Sequence, residues 1–527
     1  MCRIFDMIRH KGCEKKHYFC AFNTLMKSKL LKTLDNRIIR SDWHATRLMG
    51  IISESDIYYV QLSNKILSII SKIEGESLIS NKVKRDISVR IAAYFEDVIS
   101  GLGLWRAIIE IHHKMYESYL PFFQLNAEKY FEDEINIEDI QFLVWSNMQG
   151  YLIDSQQQRF LNPENPFLVE LALEIYTLLD SEYETAPANE SLFRIIRELE
   201  FKDDIISVRE MLGWLHYDSY LSMSYTHKNL KGEIHGLKTG DNKSFFAENS
   251  EILTYAMEKV GIFSKTCSPI AIKAKDWAAQ IFSGTPKANL FETIDFRQIS
   301  NYNIVQVDSD TFTLIDSDKE IYIVSVDSVS TPEALHENKS IMCSLLFYNQ
   351  LWHINGFAAF ANARTDLDIM PSKAKILANN RQVYNHLFKE LKEEIAYYHS
   401  SDDLKQAMSE LFPLTERSKF LPADFNKQTD FILFIHPESG LSIYPELALY
   451  VSDVKNPFYD IAAVEQEGLG ILTGHFKLPK ELLEYLIDRK FLKDVSLNSL
   501  HGKEYGKNLL QKNIRFIVRF FQPELYN

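Results

Sequence analysis

The spacing of the apolar residues changes once along this chain, near residue 300, and that change limits the folds open to it. Before it, apolar side chains recur every three or four residues. Over 56–74 they are Leu62, Ile66, Ile69, Ile70 and Ile73. Over 82–100 they are Ile87, Ile91, Tyr94, Phe95 and Val98. This is the period of helices with one buried stripe. After it come short β-branched runs at 303–307, 311–315 and 320–326. They are separated by Asp308-Ser309-Asp310 and Asp316-Ser317-Asp318, which is hairpin-turn chemistry. Residues 340–360 add two more strands, turning near Asn349 and Gln350. A run of helices followed by a run of strands predicts an α+β fold rather than an alternating βαβ one.

The expected organisation follows. Residues 1–37 form a basic extension and 38–230 a predominantly helical domain. Residues 231–300 are linker and helices, with Gly232, Gly236 and Gly240 marking a linker over 229–245. Residues 301–365 form an antiparallel β region. Residues 366–527 form an α+β region that opens with one long helix over 372–399. Gly101 and Gly103 stop the helix over 82–100.

Charge divides the chain again. The formal net charge is −14. Residues 1–34 carry eight basic and two acidic side chains, a net of +6, so the remainder carries −20. An acidic body argues against nonspecific nucleic-acid binding by the whole molecule. Five cysteines make no disulfide framework, and Cys267 and Cys343 read as small core residues. No apolar run is long enough for a membrane helix, so no membrane partner and a cytoplasmic setting are expected.

Several common activities lack their signatures. There is no Gly-Lys-Ser/Thr triplet for a phosphate loop, no His-Glu-x-x-His and no Gly-x-Ser-x-Gly elbow. Gly468, Gly470 and Gly474 resemble a dinucleotide fingerprint but miss its third glycine position and its strand–helix context. His10, Cys13, His17 and Cys20 are zinc-type donors set too close together for the usual pair of ligand pairs. Glu110-x-x-His113 is half a di-iron motif without a partner helix, and His112 lies mid-stripe as a core histidine. Neither a metal nor a cofactor is expected. The acidic run 132–139 reads as a helix start, with Asn136 as N-cap and Glu138 and Asp139 in the first turn.

Two clusters remain as candidate sites. Glu96 and Asp97 lie off the apolar stripe of their helix. They read as a solvated face, or as a carboxylate pair facing Trp105 and Arg106 of the next helix across a cleft. Paired carboxylates serve as general acid and base when burial separates their pKa values. In the last helix, Lys512, Arg515 and Arg519 share a basic face that suits an acidic partner or phosphate.

A resemblance covers most of the chain. It is carried by Asp42-Trp43, Ser55-Asp56-Ile57-Tyr58-Tyr59-Val60, and the run Ala93 to Gly101 with Leu104-Trp105. Tyr119 to Phe122, Asp133 to Asn136, Tyr183 to Pro187, Asn456 to Asp460 and Arg519-Phe520-Phe521 continue it. Together these resemble a family of uncharacterised bacterial proteins, chiefly from Bacteroidota, classed as a domain of unknown function. The resemblance starts near Ile38 and carries no catalytic residue. The expected function is a protein-binding or scaffold module without its own catalysis. The alternatives are an enzyme such as a hydrolase, at Glu96, Asp97 and Arg106, and nucleic-acid association through the last helix.

Overall fold

The computed structural model describes residues 37–74, 79–125, 128, 130–155, 159–198, 202–239, 250–366, 373–411 and 427–527. The basic extension, with its cysteines and histidines, lies outside these apart from residue 37. The fold is α+β. It divides into two compact units: residues up to Asp316 with Ile321–Thr365 and Asn527, and Ser317–Glu320 with Asp366–Tyr526.

The larger unit begins with helices α1 (Arg40–His44), α2 (Asp56–Glu74), α3 (Asn81–Ser100), α4 (Leu104–Tyr116), α5 (Ile137–Asp154) and α6 (Pro166–Glu182). It continues with α7 (Glu190–Ile196), α8 (Ile205–Gly213), α9 (Ser224–Thr239) and α10 (Ser250–Ser264). The sequence expected a linker over 229–245, but helix runs to Thr239, and 240–245 lie outside the described residues. A two-stranded ribbon, β1 (Thr266–Cys267) with β2 (Ile272–Lys273), precedes α11 (Ala274–Ile281) and α12 (Pro286–Glu292).

Helix α3 is the centre of the helical layer, packed by α2, α4 and α5. Ser80 caps its start by accepting from the Val83 amide. Its end is set by Gly101, at φ 61°, and Gly103, at φ 76°. Both sit in the left-handed region that side-chain-bearing residues avoid. Gly103 is doubly constrained, because a Cβ there would fall 1.7 Å from a guanidinium nitrogen of Arg197. That arginine holds the turn by donating to the Gly101 carbonyl at 3.0 Å.

The predicted antiparallel strands close into a barrel. They are β3 (Asp295–Val307), β4 (Thr311–Ile315), β5 (Ile321–Ser325), β6 (Ser340–Tyr348) and β7 (Leu351–Ala361), with α13 (Glu333–Glu337) between β5 and β6. Their order is β3-β4-β5-β7-β6. All neighbours are antiparallel except β5 and β7, which meet in parallel at Val324 and Trp352. Tyr302, Phe312, Leu314, Tyr322, Val324 and Cys343 fill the interior, as alternation predicts for inward positions.

The smaller unit has α14 (Lys373–Leu391), β8 (Ile395–Ser400), α15 (Ser401–Leu411), β9 (Thr429–His436) and β10 (Gly440–Tyr444). It ends with α16 (Ile461–Glu467), α17 (Leu469–Leu472), α18 (Lys480–Asp488) and α19 (Lys503–Phe521). The three strands form an antiparallel sheet in the order β10-β9-β8. The single helix expected over 372–399 is in fact a helix and a strand. Lys392 turns left-handed at φ 64° and ends α14, and the aromatic run after it pairs with β9. Ile395 and Tyr398 fell on the helical period by coincidence, so periodicity alone could not separate the two elements.

Gly103→Ala would force the residue into an unfavourable φ and displace Arg197. We expect it to lower stability by about 1–3 kcal/mol, measured by chemical denaturation.

Candidate functional site

Glu96 and Asp97 are each 2% exposed. They form neither a solvated face nor one wall of an open cleft, because α3 is enclosed on nearly every side.

Glu96 meets the loop that follows α1. Arg47 grips its carboxylate with both terminal nitrogens, Nη2 donating to Oε1 at 2.7 Å and Nη1 to Oε2. Asn189 donates to Oε1 at 3.0 Å while its own Oδ1 caps the start of α7. The same guanidinium donates to Asp56 at 2.7 Å, so one buried arginine joins two carboxylates. Asp56 also accepts from the Trp43 indole at 2.9 Å and the Ser53 amide at 3.0 Å, and His44 lies 3.2 Å away. Arg47 rests on the Trp43 ring, 4.4 Å from its centre, and Trp43 stacks on Tyr59. Burial raises the Glu96 carboxyl above its usual range despite Arg47. At Asp56 burial acts in the same sense, but the Ser53 amide and Arg47 outweigh it and hold the group low.

Asp97 turns the other way and caps α4. It accepts from the Leu104 amide at 3.1 Å and the Trp105 amide at 2.7 Å, the exposed donors of a helix start. Tyr220 donates a third bond at 2.7 Å. Burial still pushes this carboxyl up. The Gly101–Gly103 turn makes this geometry possible by folding α4 back over the end of α3.

Trp105 therefore belongs to the core, edge-on to Tyr94. Arg106 does not join the pair. It reaches outward, to Glu110 at 3.0 Å and Asp133 at 3.3 Å. The structure thus brings Trp105 to the pair and leaves Arg106 on the surface. Arg90, expected on an outer charged face, is also buried. It keeps its pairing with Asp86 and donates to the carbonyls of Tyr220 and Ser222.

A further buried carboxylate carries no mark in the sequence. Asn136 does stand at the N-cap of α5, but Asp139 turns inward instead of facing solvent. It accepts from Tyr94 at 2.8 Å, Tyr130 at 2.9 Å and Asn136 at 3.1 Å. Burial dominates these bonds and raises its pKa to about 7. His112 is the core histidine the sequence predicted. Its Nδ1–H donates to the Ser118 carbonyl at 2.6 Å, and burial lowers its pKa to about 4.

In α19, Arg515 pairs with Asp488, and Arg519 lies 4.2 Å from the centre of the Tyr526 ring. Lys503 and Lys507 pair with Glu465 and Asp494. Lys512 is exposed. Gly468, Gly470 and Gly474 lie around α17, with helix α16 and not a strand before them. Among the described residues, no cluster of three or more His, Cys, Asp or Glu is placed to hold a metal ion. No helix among them is long and apolar enough to cross a membrane.

Sequence reasoning passed over Arg47 and His399. Arg47 is a single basic residue in a short turn, with no spacing to mark it. The helical period puts His399 in the long helix; as a β8 residue it faces Asp430 on the neighbouring strand. A signal for Glu96 did exist. Val89, Ala92 and Ala93 lie on the side of α3 opposite its main stripe, at ~100° per residue, and mark a second buried face.

These features define an α+β protein whose predicted acidic site is an internal brace. The chain belongs to a family of proteins of unknown function, DUF3843, whose profile matches residues 37–316 and 360–522. The unmatched stretch between them holds β5, β6 and most of β7. No curated protein and no solved structure matches the chain.

Arg47→Met would leave two buried carboxylates without their cation. We expect a loss of about 3–5 kcal/mol in denaturant titration. Asp139 gives a pH signature. Its folded pKa near 7 lies above the ordinary 3.8. Its contribution is therefore fully present below the ordinary value and is lost as pH rises towards 7, at no more than about 1.4 kcal/mol per pH unit. Asp139→Asn should flatten that part of the stability–pH curve.

Proposed function

We propose that the protein is a protein-binding or scaffold module of the bacterial cytoplasm, and that the helical layer performs no chemistry at Glu96 and Asp97. The family resemblance supports the bacterial setting. The use of those carboxylates in bracing supports the second point. Each accepts three hydrogen bonds from groups that hold α1, α4 and α7 in place.

The binding reading is carried by the outer face of the barrel. Val305 on β3 and Ile321 and Ile323 on β5 point outward and are each more than half exposed. Thr313 on β4, opposite Ile323, lies between them. Exposed aliphatic residues grouped on one face of a sheet mark interaction surfaces. Asp308 and Asp310 lie at the β3–β4 turn beside this face. The matching partner is a polypeptide segment that alternates basic and aliphatic side chains. Acidic turns steer the basic groups, and the strand face covers the aliphatic ones.

The nucleic-acid reading has less support, because Lys503, Lys507 and Arg515 of α19 already face carboxylates.

The test uses a short fluorescent peptide of alternating lysine and valine, with a glutamate–valine peptide as control. We expect the first alone to bind, with affinity falling as salt rises. The double variant Ile321→Ser/Ile323→Ser should abolish binding while leaving the circular dichroism spectrum unchanged. Equal binding of both peptides, or no binding of either, would overturn the reading.

A further inference from the structure

The smaller unit holds a histidine that, like His44 beside Asp56, sits next to an enclosed carboxylate, but whose ring is far more exposed. His399 and Asp430 are opposite one another on β8 and β9, and the ring Nδ1 lies 2.7 Å from Asp430 Oδ1. A carboxylate only accepts, so Nδ1 carries the proton and Nε2 presents its lone pair. Nε2 has no hydrogen-bond partner among the described residues. The imidazole side chain is 62% exposed and the Asp430 side chain 12%. A buried carboxylate thus orients a solvent-facing base.

Three further features hold this arrangement. Asp430 sits at φ 54°, a left-handed conformation at the start of a strand. Strain of this kind collects where a side chain must be aimed. Its other oxygen accepts from the Thr429 hydroxyl at 2.7 Å, so the carboxylate cannot swing away freely. The ring of Phe458 lies against the imidazole, 5.4 Å between centres and 27° between planes.

Phe458 is presented by a braced loop. Asn456 is buried and donates to the carbonyls of Ala448 and Val451, at 2.6 and 2.7 Å. Its Oδ1 accepts from the Phe458 amide at 3.0 Å. Asn456 to Asp460 is one of the stretches that carried the family resemblance, and the binding reading gave it no part.

The geometry points to His399 as the general base of a hydrolytic site for neutral carboxylic esters, with Asp430 as its positioning residue. Asp403, within electrostatic reach of the ring, and Asp430 make the surroundings negative and disfavour anionic substrates. Phe458 offers an apolar face for the acyl or alkyl group. Nε2 takes a proton from water as the water oxygen bonds to the ester carbon. The carbon–alkoxide bond then breaks, and the imidazolium returns the proton to the departing alkoxide. The products are a carboxylic acid and an alcohol, and no oxidant or second cofactor is needed. Asp430 stabilises the transient imidazolium and fixes the tautomer. This site lies in the other unit from the barrel face and does not depend on the binding reading.

The experiment measures hydrolysis of p-nitrophenyl acetate and butyrate by the full chain. His399→Ala should lower kcat/KM by about a hundred-fold, the size of a general-base contribution. Added imidazole should restore part of that rate. Asp430→Asn, which tolerates the left-handed backbone, should lower kcat with KM unchanged. Phe458→Leu should act mainly on KM for the butyrate. His501→Gln, a histidine elsewhere in the unit, serves as the control and should match the parent. Failure of imidazole to rescue His399→Ala, or equal losses in His399→Ala and His501→Gln, would overturn the proposal.

Discussion

The larger unit depends on a charge buried in its helical layer. Arg47 is taken out of water and is matched by two carboxylates, Glu96 from α3 and Asp56 from α2. Bringing three charges inside carries a large desolvation cost. It is offset only when each charge keeps close, well-aligned partners. That requirement fixes the positions of Trp43, Asn189 and the Ser53 turn, each of which supplies a donor or a covering ring. An apolar contact here would tolerate sliding; this one does not. The brace therefore fixes how α1, α2, α3 and α7 meet, more than it adds net stability.

Asp97 extends the same logic to α4. A helix start exposes amides that need acceptors, and burying that start makes the need strict. Glu96 and Asp97 are adjacent in sequence but point to different elements, so one short stretch of α3 locks both of its sides. The left-handed glycines at 101 and 103 let the chain reverse within three residues and bring those amides to Asp97. Neighbouring carboxylates that looked like an acid–base pair are kept apart by serving separate partners.

Enclosed carboxylates take two forms in this protein. In the helical layer, Glu96, Asp97 and Asp139 are enclosed, each with three donors, and leave nothing directed to solvent. In the small sheet, Asp430 is enclosed while its partner His399 is exposed. An internal brace and a positioned reactive group use the same hydrogen-bond chemistry. They differ in whether one atom of the set is left open to water.

Much of this architecture was legible in the sequence, because helical period, strand alternation and turn residues act locally. The helices from α2 to α8, the barrel strands, the Gly101 stop and the core role of His112 follow from spacing alone. Errors came where two periods coincide, as at Ile395 and Tyr398, or where a glycine-bearing stretch is held as helix, as in α9. What the sequence could not supply was the partner of each charge. Arg47 lies 49 positions from Glu96, and His399 lies 31 from Asp430. No local pattern links such residues. The sequence by itself determined most of the helices and strands and where charge is concentrated. The tertiary structure alone decided which charges are buried, because burial depends on every element that closes over a side chain.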